Sequence, residues 1–215
     1  MLEALTGSGL AAAAGLNAYI PLVAVGVLAR YTDWINPPPQ WQWLENGWVL
    51  LFLAVLLTVE VVADKIPIVD HVNDVLGTVV RPTAGGLAFS ATAGAPTLTV
   101  PDASADAPTW VPLLAGALIA LVVHGVKVTV RPVANLATAG AAAPVVSTGE
   151  DISSVVMSVV AILLPVLVLL VFVTMLVGGW WLWRRRGKRR AEKAARKATG
   201  TPDTGDTLRV PSGRP

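Results

Sequence analysis

The sequence predicts an all-α polytopic transmembrane bundle, and three observations carry that expectation. Only 14% of the 215 residues are charged while 54% are hydrophobic, against about a quarter charged in an ordinary soluble domain. The mean hydropathy is +0.64. The charges are also segregated. Residues 184–215 hold 11 of the 16 Lys and Arg and 3 of the 14 acids, a net of +8, which leaves −6 on residues 1–183. A charge-poor body with a basic tail excludes an ordinary soluble enzyme. The tail also creates the pI near 9.2, so nucleic acid is not an expected partner. With no Cys, disulfides, thiolate nucleophiles, iron–sulfur clusters and Cys-ligated zinc are excluded.

Long stretches free of Asp, Glu, Lys and Arg run 4–29, 46–59, 82–101, 107–126, 132–149 and 152–183. A helix needs about 20 residues to cross the hydrocarbon core. The first, fourth and sixth stretches are long and apolar enough to be spans. The second reaches full length only by taking in Glu60 and Asp64. The third and fifth are rich in Ala, Gly and Thr and interrupted by Pro, so they are expected as short, broken or re-entrant interior helices, where small residues let backbones approach. About six crossings result. Glu3, with no basic residue before it, argues against a signal peptide.

Basic residues favour the cytoplasmic side. The run Arg184 to Arg190 follows Trp180, Trp181 and Trp183 and places the end of the last span, and the C-terminus, in the cytoplasm. Counting back places Lys65, Arg81, Lys127 and Arg131 inside as well, and Trp34, Trp41, Trp43, Trp48 and Trp110 at outer ends. Residues 1–183 are thus expected as the membrane domain and 184–215 as a largely disordered cytoplasmic tail. The tail reads as a stop-transfer signal that also attracts anionic lipid head groups, by about 1 kcal/mol per basic residue near the surface. Small Ala/Gly-rich spans leave a homo-oligomer open.

Ionisable residues gather where the inner halves of the spans meet the cytoplasm. Glu60 and Asp64, and Asp70 and Asp74, are four apart and share helix faces. Pro67 predicts a turn followed by a short helix that also carries His71. His124, Lys127 and Arg131 lie on one stripe of the fourth span. Val80-Arg81-Pro82-Thr83-Ala84 and Val130-Arg131-Pro132-Val133-Ala134 match at four of five positions, which predicts two helices that each start at Pro beside an arginine. Such a start suits an anion. Asn17 and Tyr19 precede Pro21, and Asn135 and Thr138 precede Pro144, so each polar group is placed to satisfy a carbonyl freed by Pro or to meet a ligand. Ser147 to Glu150 has the spacing of a capping box, the favoured role for Glu150.

Two readings of these charges follow. One is a neutralising salt network of Glu60, Asp64, Asp70 and Asp74 against Lys65, Arg81, Lys127 and Arg131. The other is a solute or proton path, since charges at membrane depth cost about 2.5–3.5 kcal/mol each and His71 and His124 titrate near neutral pH. Nucleophilic chemistry has little support: no G-x-S-x-G, S-x-x-K or phosphate loop occurs. No cofactor or metal is expected, and Glu60, Asp64 and His71 form only a minor candidate ligand set.

Gly15-Leu16-Asn17-Ala18-Tyr19-Ile20-Pro21, the block Glu60-x3-Asp64-Lys65-x-Pro67-x2-Asp70-His71-x2-Asp74, Arg81-Pro82, and Asn135 through Pro144 to Glu150-Asp151 resemble a bacterial family catalogued as domain of unknown function 4126. The resemblance covers roughly residues 5 to 180. It implies a small multi-pass bacterial membrane protein and supplies no activity or site residues. The function expected from the residues is transport or permeation of a small solute, such as an anion, across the plasma membrane. Arg81, Lys127 and Arg131 would attract it, Glu60, Asp64 and His71 would handle coupled protons or cations, and Asn17 and Asn135 would line the path. The alternatives are a membrane scaffold or regulator acting through its tail and, third, a metal-dependent membrane enzyme.

Overall fold

A computed structural model describes residues 2–93, 110–138, 143–170, 172–174 and 177. Residues 1–170 form one unit. In residues 171–215, a second unit, the described residues are helical. All regular structure among the described residues is helical: α1 (Leu2–Leu16), α2 (Tyr19–Tyr31), a 3₁₀ turn (Pro39–Glu45), α3 (Gly47–Ala63), α4 (Pro67–Thr92), α5 (Trp110–Ala137) and α6 (Ala143–Leu163).

The bundle is built around α1, which packs against α2, α4, α5 and α6. Its residues Leu10 to Gly15 are all buried, and their small side chains make this possible. A Cβ on Gly15 would meet the Ala120 carbonyl of α5 at 2.6 Å, and one on Gly9 would meet the Ala161 side chain of α6 at 2.6 Å. Gly85 of α4 lies against Ala120 and the Gly116 carbonyl of α5. These are backbone-to-backbone crossings of the kind that dispersion forces stabilise between helices in lipid.

Bulk and polarity are distributed the reverse of a water-soluble core. The largest fully buried side chains are Arg81 and Arg131, while Leu51, Phe52, Val55, Val59, Leu118, Val122 and Val156 are exposed. Burying charge and exposing aliphatic bulk is favourable where the surroundings are hydrocarbon and the charges are paired. Two helical segments, Trp110–Arg131 and Ala143–Leu163, are long and apolar enough to cross a membrane. A third candidate joins the 3₁₀ turn to α3 through a 67° bend. This is compatible with a membrane location.

Several sequence expectations need correction. The stretch 4–29 is not one span, because the chain breaks at Asn17–Ala18. Along α1, Ala13 meets Ser154 and Gly9 meets Ala161; along α2, Ile20 to Leu28 share a cleft with Val155 to Leu163. Both helices thus lie beside the α6 segment from Asp151 to Leu163, α1 running toward Asp151 and α2 away from it, so the chain reverses at Asn17–Ala18. The two form a hairpin whose arms, 15 and 13 residues, are each only about 20 Å long at 1.5 Å per residue, short of the ~30 Å hydrocarbon core.

The Ala/Gly-rich stretches do not form helices of their own either. Pro82 lies inside α4, and Arg131-Pro132 lies inside α5, so neither arginine stands at a helix start. A proline in a packed membrane helix forfeits one hydrogen bond that neighbours can compensate. The dipole argument for an anion site falls with those helix starts. The turn before Pro67 is present, but the helix it opens is 26 residues long rather than short.

Candidate functional site at the hairpin tip

Four further helices bring ionised side chains to the hairpin tip. Glu60 sits in the last turn of α3 and Asp64 caps its C-terminus, so the four-residue spacing puts both carboxylates on one buried face. Arg81 comes from α4, and His124, Lys127 and Arg131 from α5. Glu150 and Asp151 lie on the third turn of α6.

The backbone ends exposed by the break are met by these groups. The Ala18 N–H donates to Glu60 Oε2 at 3.1 Å. Asn17 Oδ1 accepts from the N–H groups of Tyr19 at 3.1 Å and Ile20 at 3.3 Å. On the α1 side, Lys127 Nζ donates to the Leu16 carbonyl at 3.1 Å. A carboxylate thus faces the positive end of α2 and an ammonium the negative end of α1, the favourable sense of both dipoles. Asn17 also donates to Asp151 Oδ1 at 3.0 Å, tying the tip to α6.

Arg81, 0% exposed, is the hub. Its Nε and Nη2 donate to Glu60 Oε1 at 3.2 and 3.1 Å, its Nη1 pairs with Asp74 at 3.2 Å, and its Nη2 lies 3.6 Å from Asp64. Asp64 further pairs with Lys127 at 3.1 Å and Arg131 at 3.8 Å, and accepts from Asn73 at 2.5 Å. Arg131 reaches Asp74 at 3.5 Å and Glu150 at 3.3 Å. Lys127 pairs with Glu150 at 3.0 Å. At the rim, Lys65, 38% exposed, lies 3.6 Å from Asp151.

His124 bridges Arg81 of α4 and Thr78 of the same helix. Its Nδ1 lies 2.9 Å from Arg81 Nη1. A guanidinium can only donate, so Nδ1 is the acceptor and the ring proton is on Nε2. That nitrogen faces Thr78 Oγ1 at 3.3 Å, whose own hydrogen is directed to the Asp74 carbonyl at 3.1 Å.

Of the residues singled out by sequence, Asn17, Glu60, Asp64, Lys65, Asp74, Arg81, His124, Lys127 and Arg131 converge on this cluster. Tyr19 stands half-buried in the first turn of α2. Asp70 and His71 are on α4 and Asn135 on α5, with side chains outside the described residues. Sequence reasoning missed Glu150, Asp151, Asn73 and Thr78. Glu150 is no cap: α6 begins at Ala143, and the carboxylate faces Lys127 and Arg131. The signal available was its place beside Asp151 in an otherwise acid-free stretch. No group of three or more His, Asp or Glu among the described residues is arranged to hold a metal. A cleft of about 460 Å³ between α2, α3 and α6 ends at Ile20, but its walls are apolar and it is separate from the charges.

A family model described as domain of unknown function 4126 matches residues 4–185. The chain belongs to this family. The match covers the hairpin, the charged cluster and the helices that hold it. No curated protein and no solved structure matches the chain.

Proposed function

We propose that this family member is a multi-pass protein of the bacterial plasma membrane, with its C-terminus cytoplasmic, that carries a small solute through the bundle at the α1–α2 tip. The observation that carries this reading is the helix break itself. Unwound backbone at membrane depth is tolerated where it is buried in protein or lines a cavity, and discontinuous helices with charged partners at their ends are how many transporters build a midplane site. Two supporting features are the burial of Arg81 and Arg131 and the outward aliphatic surface.

The charge balance favours a cation or proton over the anion suggested by sequence. Among the described residues, Glu60, Asp64, Asp74, Glu150 and Asp151 supply five carboxylates, and Lys65, Arg81, Lys127 and Arg131 supply four cations, each of the four within 4 Å of a carboxylate. Reconstituting the full chain in proteoliposomes and screening protons, alkali cations, ammonium and small anions tests the reading. A solute-dependent flux lost in Arg131→Gln supports it. No flux above empty vesicles across the panel overturns it. The density of ion pairs favours the competing reading, a scaffold held by a salt network, which expects stability losses and no flux.

A further inference from the structure

Among the described residues, five side chains carry a positive charge, and four of them pair with carboxylates around the hairpin tip. The fifth, Arg30, stands at the other end of α2 and pairs with none among the described residues. It sits in the last turn of α2, where a cation is favoured, yet its guanidinium reaches across to the first turn of α3, where an anion is favoured. A Cβ on Gly47 would meet its Cζ, Nη1 and Nη2 each at 3.6 Å. Nη1 donates to the Glu45 carbonyl at 2.7 Å. The rest of its five N–H donors have no protein acceptor among the described residues. Arg30 and Gly47 line a hollow of about 500 Å³ together with Asn46, Trp48 and Leu51.

The apolar cleft begins on the same face of α2. Its lining includes Val27, three residues before Arg30 and so its neighbour on the helix surface. From there it runs back to Ile20, between Leu57 of α3 and the Val155 to Leu163 face of α6, and Trp34 joins the lining. From Ile20 to Leu28 that is about 12 Å at 1.5 Å per residue. Water has no hydrogen-bond partners on such walls, whereas a hydrocarbon chain matches them. The rings of Tyr31, Trp34 and Trp48 at this end of the bundle are exposed, as aromatic rings are at the level of lipid head groups.

We propose that this end of α2 holds one phospholipid, with its phosphodiester on Arg30 and an acyl chain in the cleft. The planar guanidinium fork suits phosphate oxygens, and the start of α3 adds backbone N–H groups of the right sign. A free anion would satisfy Arg30 but leave the cleft without an occupant. A lipid answers both features at once, because its charge and its chain are joined. The chain would abut Ile20, whose N–H donates to Asn17 Oδ1 at 3.3 Å, so the lipid braces a hairpin whose arms are too short to cross the core. The proposal rests on the membrane reading and is independent of transport.

The test is the thermal stability of the purified full chain in an uncharged detergent, with added phosphatidylglycerol, added inorganic phosphate or neither. Wild type is compared with Arg30→Gln, which removes the charge, and Ala24→Phe, which fills the cleft that Ala24 lines. Arg30 is exposed and Ala24 faces open space in the cleft, so both variants should fold. For lipid at ten times its Kd, linkage and the usual Tm scaling give a rise of roughly 3–6 °C in wild type. Each variant should lose most of that rise, and inorganic phosphate should not reproduce it. Four outcomes overturn the proposal: no rise in wild type, a full rise in Arg30→Gln, a full rise in Ala24→Phe, or an equal rise with inorganic phosphate. The readout does not depend on flux. A chain that stays soluble once detergent is removed contradicts the membrane reading itself, whereas an unresponsive chain that still requires detergent removes only the lipid site.

Discussion

Removing Arg81 and removing Glu60 should have unequal costs, although the two face each other. Arg81→Gln leaves Glu60 buried without the only cationic side chain that pairs with it among the described residues, and stranding a buried partner costs about 3–5 kcal/mol. For a chain of this size that corresponds to a Tm loss of roughly 6–20 °C. Glu60→Gln is milder. Arg81 keeps Asp74 at 3.2 Å and Asp64 at 3.6 Å, and an amide oxygen at position 60 can still accept from the Ala18 N–H, so the expected cost is about 1–3 kcal/mol. In the double variant no charge is stranded, and the loss should fall short of the sum of the singles by about 0.5–3 kcal/mol. Thermal unfolding in detergent, followed by the fluorescence of the eight tryptophans, measures all four proteins. Strictly additive losses, or Arg81→Gln as stable as wild type, would refute the hub assignment.

Two further substitutions probe the packing and the tip. Gly85→Ala should destabilise by about 1–3 kcal/mol, because its Cβ overlaps Ala120 and the Gly116 carbonyl, whereas Gly125→Ala, with nothing within 4 Å, should be stabilising by up to about 1 kcal/mol through helix propensity; opposite Tm shifts are the check. Asn17→Ala removes the acceptor for two N–H groups of α2 and the link to Asp151, with an expected loss of about 0.5–2 kcal/mol on the same unfolding assay and a larger proportional loss of flux.

The charged cluster was legible because charges are rare in an apolar chain and helical spacing is simple. Glu60 and Asp64 at four apart, and His124, Lys127 and Arg131 on one stripe, needed only the 3.6-residue period to be placed face to face. Prolines misled. Pro82 and Pro132 carry the signal of a helix start, yet tertiary packing lets both helices continue through them. Glu150 was missed for a related reason, since a capping-box spacing and two successive positions on one helix face have the same residue separation. The reversal at Asn17–Ala18 was hidden because 4–29 is continuously apolar, and hydropathy does not report chain direction. What makes the reversal stable is distant in sequence: Glu60, Lys127 and Asp151 meet the loose ends from three other helices.

The central claim is that the hairpin tip lies on an aqueous route, and the absence of native cysteine permits a direct test. Tyr19→Cys places a single thiol in the first turn of α2, at a half-buried position beside the break. Sealed vesicles would be treated with a membrane-impermeant maleimide from the outside, and separately with the reagent trapped inside. Labelling from both sides, changed by the transported solute, is the result expected of a carrier that opens the tip to each face in turn. A thiol that reacts only after unfolding would contradict it and leave the charges as a structural network.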